Sequence, residues 1–290
     1  MNFEIKKPWD SVVQVDIDST QAKILWLNDL HLDSVHSDKT RLRKIIDENS
    51  DAFLIIGGDL YDVMQNTGDK RASKGSLKDL HKRDDYINSI VEEIVEFFTP
   101  YSNRILGFNY GNHETTQLKF HGIDITQWTV ATLNAKNRTN IQLNDFAGYY
   151  SFYLKSRYER TISYLIYFSH RPISGGMRSK GMLSADIIAG RNTAANMYIS
   201  EHIHTTFAHP FVVEEFNHSA KSIVYKEKWY VQMPTTKMEH VGRKIGYHHE
   251  RNYGNTWNGA ILISLDEKYD NVNSKSRVSH LSASPSWIRL

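Results

Sequence analysis

Residues 52–62 read Ala-Phe-Leu-Ile-Ile-Gly-Gly-Asp-Leu-Tyr-Asp, and this stretch decides the fold class. Its first five residues are a short, unbroken apolar run. That is the pattern of a strand covered on both faces rather than one alternating between core and water. The run breaks at two glycines and then delivers two carboxylates, Asp59 and Asp62. The same order recurs on either side. Lys23–Asn28 predicts a strand that exits into Asp29-Leu30-His31, and Arg104–Tyr110 predicts one that exits into Gly111-Asn112-His113-Glu114. Helical patterns lie between: Thr40–Glu48 behind a capping Ser37 or Asp38, and Leu77–Phe98, whose apolar stripe stops before Pro100. Ile123–Leu133 predicts another helix. Alternating strands and helices favour neighbouring parallel strands.

The second half changes character. Tyr149–Lys155, Thr161–Phe168, Phe211–Phe216, Ser222–Met233 and Ala260–Leu265 are rich in aromatic and β-branched residues and predict a mostly antiparallel or mixed sheet. Two sheets packed face to face with helices outside is the simplest architecture for this order. With 290 residues, two-fifths of them apolar, the chain can fill a large core, and no repeat or linker marks a boundary, so one domain over 1–290 is expected. A net charge of +2 means that any basic surface is local. There is no cysteine, so disulfides, thiolate metal sites and thiol nucleophiles are excluded. The N-terminus lacks an apolar leader and no run is long enough to span a bilayer, which points to a cytoplasmic protein without a membrane partner.

Residues able to bind metal or move protons sit just past the carboxyl ends of the predicted strands, where crevices form in α/β sheets. To those above, the second half adds His170 after Phe168-Ser169, and His202 and His204 after a short apolar segment. Glycines before Asp59 and Asn112 are expected to permit the tight turns that gather them. Each motif alone has a plainer explanation. Asp-x-His and Gly-Asp are common turn chemistry, Gly-Asn-His-Glu suits a strand exit followed by a helix start, and His-x-His can lie on an exposed strand face. Together, Asp29, His31, Asp59, Asn112, His170, His202 and His204 make an oxygen and imidazole set without sulfur, suited to two divalent ions such as Mn²⁺, Fe or Zn²⁺. Two ions roughly 3.5–4 Å apart would clamp a phosphoryl group and generate hydroxide near neutral pH.

Asp-x-His, Gly-Asp-x-x-Asp, Gly-Asn-His-Glu, a lone His and a closing His-x-His, in that order over residues 29–204, resemble the calcineurin-like metallophosphoesterase superfamily. The resemblance implies a four-layer α/β/β/α sandwich with two mixed β-sheets. It also implies that Asp29, His31 and His204 hold one metal, that Asn112, His170 and His202 hold a second, and that Asp59 bridges. His113 would be the catalytic acid, oriented by Asp62. One position departs from the pattern: the glycine usual before the closing His-x-His is Glu201, which is expected either to alter the turn or to approach the metals as an extra ligand.

The substrate implied is a phosphate ester. The motif wording is similar to that of the double-strand-break repair exonucleases, since Val63-Met64 stands where the protein phosphatases carry Arg-Gly. DNA or a nucleotide-like diester is therefore expected, with a phosphomonoesterase or a non-catalytic metal-binding scaffold as alternatives. Arg171, Arg178 and Lys180, in a glycine-containing loop after His170, are candidate phosphate contacts. The stretch 237–251 mixes basic and aromatic residues as nucleic-acid surfaces often do.

Overall fold

The computed structural model describes residues 2–63, 78–81, 84–158, 160–170, 182–217, 221–238, 258–273 and 276–289. Two mixed sheets are built. In the first, β3 (Gln21–Leu27), β4 (Phe53–Ile56), β5 (Ile105–Phe108) and the short β6 (Gln142–Leu143) run parallel, as the alternating first half requires. β12 (Gly259–Asn273) joins antiparallel to β3, with β13 (Ser276–Arg289) outside it. The second sheet runs in the order β1 (Phe3–Trp9), β2 (Val12–Ile17), β7 (Ala147–Lys155), β8 (Thr161–Ser169), β9 (Met197–Ser200), β11 (Ser222–Gln232), β10 (Phe207–Asn217).

The unbroken apolar runs are explained by burial on both faces. In β3 and β4, Ile24, Trp26, Phe53 and Ile55 point inward, meeting Tyr150, Phe152, Ile166, Phe168 and Ile199 of the second sheet. Their neighbours Leu25, Leu27, Leu54 and Ile56 point outward, under α1 (Lys39–Glu48), α2 (Tyr86–Phe98) and α4 (Ile125–Asn137). On the far side, α5 (Met182–Arg191) covers Tyr198 and Tyr230 with Ala185 and Ile188. The result is the expected α/β/β/α stack. Each fully buried aliphatic or aromatic side chain in the central layer contributes about 1.5–3 kcal/mol relative to exposure.

Three details of the helix starts have local causes. Asp38 is the cap of α1, its Oδ1 accepting from Arg41 N at 3.1 Å. The second helix is shorter than expected: it begins at Tyr86, and a 3-10 turn over Asp79–His81 precedes it, with His81 bonded to Ser89 Oγ (2.9 Å) and Glu93 Oε2 (2.6 Å). The helix α3 (Asn112–His121) starts at the Gly-Asn-His-Glu motif itself, where Glu114 Oε2 accepts from Gly111 N at 3.0 Å. No helix among the described residues is long and apolar enough to cross a membrane.

Candidate metal centre

The candidate ligands follow β3, β4, β5, β8 and β9, which end along one edge of the sandwich. Main-chain pairing continues beyond the strands: Gly57 N donates to Leu27 O (2.6 Å), Asp29 N to Gly58 O (3.1 Å) and His31 N to Asp59 O (3.1 Å). To keep this pairing while aiming side chains at one point, the backbone turns left-handed at Asp29, His31, Asp59, His202 and His204, with φ between 43° and 73°. Such conformations cost on the order of 1 kcal/mol each for residues other than glycine and gather at functional sites. The expectation that glycines make these turns is corrected: Gly111 has φ −112°, and among the described glycines only Gly122 has positive φ. Glycine is needed instead for close approach, since a side chain at Gly57 or Gly58 would meet the Glu201 carboxylate or the His170 ring.

Three groups of donor atoms result among the described residues, each with its members within 4.8 Å of one another: Asp29 with His31 and His204, Asp59 with His170 and His202, and His31 with Asp62 and His113. Asp29 Oδ1 lies 3.1 Å from His204 Nε2, and Asp59 Oδ2 lies 3.1 Å from His170 Nε2 and 3.8 Å from His202 Nδ1. Donors each about 2.1 Å from a shared ion stand roughly 3–3.5 Å apart, so the spacing suits cations. Asp29 Oδ1, His31 Nε2, Asn112 Oδ1 and His170 Nε2 are buried without an aligned hydrogen-bond partner. Unpaired buried polar atoms are expensive. Four of them among the candidate ligands fit divalent metal binding.

His113 stands where expected but is held differently. Its Nδ1 lies 2.7 Å from the backbone carbonyl of Asp62, whose Oδ1 is 4.0 Å away. The Asp62 carboxylate therefore does not orient His113. Instead its Oδ1 pairs with His31 Nδ1 at 2.7 Å and with Lys237 Nζ at 3.0 Å. Lys237 is buried and was not singled out by sequence, although it lies within the basic stretch noted there and follows a strand exit, the placement shared by the ligands.

Glu201 also departs from expectation. It is fully buried behind His170, on the far side of the ring from Asp59, its Oε2 accepting from His170 Nδ1 (3.0 Å) and Gly58 N (3.1 Å) and its Oε1 from Trp26 Nε1 (2.8 Å). Gln232 Nε2 secures its turn by donating to Ser200 O at 2.9 Å.

The family model for calcineurin-like phosphoesterases matches residues 22–273. The chain belongs to that family. Membership supports a metal-dependent hydrolase of phosphoric esters. No curated protein matches the sequence. Among solved structures, the phosphoesterase is similar to GAP50, the anchor in the inner membrane complex of Plasmodium, at 11% identity and TM-score 0.43 over 94% of this chain and 90% of that one. It is also similar to Vps29 of Chaetomium thermophilum, at 8% identity and TM-score 0.37 over 93% of this chain and 98% of that one.

Charge in this phosphoesterase is arranged to receive cations. Burial alone would raise the Asp59 carboxyl, but the imidazoles of His170, His113 and His202 hold it well below the usual carboxylate range. Burial would likewise raise Asp62, and Lys237 and His31 hold it well below. Burial opposes the charged form of His170, yet Asp59 and Glu201 keep its pKa well above the ordinary imidazole value. In the metal-free chain, protons on imidazole stand where cations would sit, so metal uptake releases them. Arg171, Arg178 and Lys180 lie outside the described residues, as does most of the 237–251 stretch. His209 is exposed on β10 and is not among the clustered donors.

Proposed function

We propose that this phosphoesterase hydrolyses a phosphodiester, with DNA or a nucleotide-like ester as substrate, at a dinuclear centre. What carries the reading is the set of buried donor atoms on Asp29, His31, Asn112 and His170, each without an aligned hydrogen-bond partner, brought from three separate strand exits. In this reading Asp29, His31 and His204 hold one cation, Asn112, His170 and His202 the other, and Asp59 is shared. Mn²⁺ is the ion proposed; Fe or Zn²⁺ would also satisfy oxygen and imidazole donors. When bound, the ions supply Lewis-acid polarisation of the phosphoryl group and acidify water.

The chain's own residues do the rest. His113 Nδ1 faces the Asp62 carbonyl and must carry hydrogen to bond it, so Nε2 is turned toward the centre, 3.9 Å from Asp59 Oδ2. When protonated at Nε2, His113 can give that proton to the leaving oxygen. Asn112 and His202 also line a groove of about 640 Å³ together with Thr115, Thr116, Lys119, Phe120 and Phe146. Lys119 Nζ lies 5.4 Å from the Phe120 ring centroid, and Phe120 is exposed. A cation beside open aromatic rings suits a phosphate followed by a planar base.

The test is reconstitution of metal-free protein with Mn²⁺ and assay against an aryl phosphodiester, single- and double-stranded DNA, cyclic nucleotides and an aryl monoester. Diester or DNA cleavage, falling about 10²–10⁴-fold in His113→Ala while metal is still bound, is expected. Preference for the monoester would overturn the diester assignment, and two equivalents of metal with no hydrolysis of any ester would replace catalysis with a binding role.

A further inference from the structure

The family's glycine before the closing His-x-His is a glutamate in this chain, and its side chain is hydrogen-bonded to a candidate ligand. Glu201 and His170 are both fully buried. Glu201 Oε2 lies 3.0 Å from His170 Nδ1, on the side of the ring away from Asp59, while His170 Nε2 faces Asp59 Oδ2 at 3.1 Å. The carboxylate is satisfied from three directions, by His170, by the Gly58 main chain and by the Trp26 indole. It cannot rotate toward the centre without stranding buried donors. Gly57 and Gly58 leave the space that it and the ring occupy.

We propose that Glu201 is a positioning residue for the second cation: it fixes hydrogen on His170 Nδ1, presents the Nε2 lone pair to the ion and makes that nitrogen more basic. A carboxylate behind a metal-ligating imidazole sets its tautomer and orientation, and losing it typically lowers metal affinity by about 10–100-fold. In the inner group of Asp29, His31 and His204 the corresponding carboxylate is Asp62, 2.7 Å from His31 Nδ1, and Lys237 shares its charge, whereas among the described residues no cationic side chain besides the His170 imidazole lies against Glu201. The effect of Glu201 therefore falls on one ion of the two. The proposal rests on the dinuclear reading above.

The experiment is calorimetric titration of metal-free, full-length protein with Mn²⁺, comparing the natural chain with Glu201→Gln and Glu201→Gly. Glutamine keeps the shape, but its amide cannot accept from both His170 and Trp26. Glycine restores the residue usual in the family and removes the carboxylate altogether. The expected result is two equivalents bound throughout, with one event weakened about 10–100-fold in both variants and the other unchanged. The unchanged event is the control for folding. Nitrogen-15 shifts of His170 in the metal-free natural chain should also show hydrogen on Nδ1, and those of Glu201→Gly should show a mixture of tautomers. Equal affinities in all three proteins, or equal weakening of both events, would overturn the proposal while leaving the dinuclear reading intact. A natural chain that binds no Mn²⁺ would overturn both.

Discussion

The two halves of the candidate centre are built from the same kinds of side chain but face different surroundings. The inner half, Asp29, His31 and His204, is buried throughout. The outer half includes His202, whose side chain is 42% exposed, and opens onto the groove beside Asn112. A carboxylate stands behind each half, but only one of the two is shared with a cationic side chain besides imidazole. Behind His31, the Asp62 carboxylate shares its charge with Lys237; behind His170, Glu201 meets only neutral donors besides the imidazole. Like ligands can thus be given unlike affinities without changing a ligand, through the groups that touch their far side. The open half is where substrate can arrive, and the sealed half is where an ion is best retained.

The strongest way to break this comparison is Asp59→Ala. Asp59 Oδ2 serves the outer imidazoles, while the Asp59 main chain holds the His31 loop. Turnover is expected to fall to background and metal stoichiometry below two, read by elemental analysis; full activity in Mn²⁺-replete buffer would refute the shared-ligand role. Lys237→Met addresses the inner half alone. It leaves the buried Asp62 carboxylate with the His31 imidazole as its remaining partner, so the metal-free protein is expected to lose stability in denaturant titrations, up to about 3–5 kcal/mol. An unchanged unfolding midpoint would show that the Lys237–Asp62 pair carries no weight. The smallest effect is expected from Phe120→Ala at the groove, a several-fold rise in KM for nucleotide-like diesters with kcat and metal content intact. That follows if stacking on the ring contributes about 1 kcal/mol to binding. An unchanged KM would move the substrate elsewhere.

Sequence order revealed the site better than it revealed the architecture around it. The apolar run at 52–56 was readable because both faces of β4 are covered, and the ligand motifs because each sits directly after such a strand. β12 was legible only in part and β13 not at all. Beyond Leu265 the chain runs Asp-Glu-Lys-Tyr-Asp-Asn, with no apolar pattern, and its strand exists through main-chain pairing to β13 from Gly259↔Arg289 to Asn273↔Ser276. The β1–β2 hairpin escaped notice for a similar reason, since only Ile5 of β1 is buried. The partners of Glu201 lie 31, 143 and 175 residues away, and no local spacing announces such a contact. The pairing of the Asp62 carboxylate with His31 and Lys237, while its carbonyl meets the His113 ring, is equally non-local, fixed by how separate loops stack and not by any one motif.

The left-handed backbone at Asp29, His31, Asp59, His202 and His204 carries a consequence for anyone who tries to improve this protein. At each of these positions glycine would relieve a conformational debt of about 1 kcal/mol, so heat tolerance and turnover pull the same codons in opposite directions. A library screened only for survival at high temperature should therefore dismantle the metal-facing residues before it touches the strands beneath them.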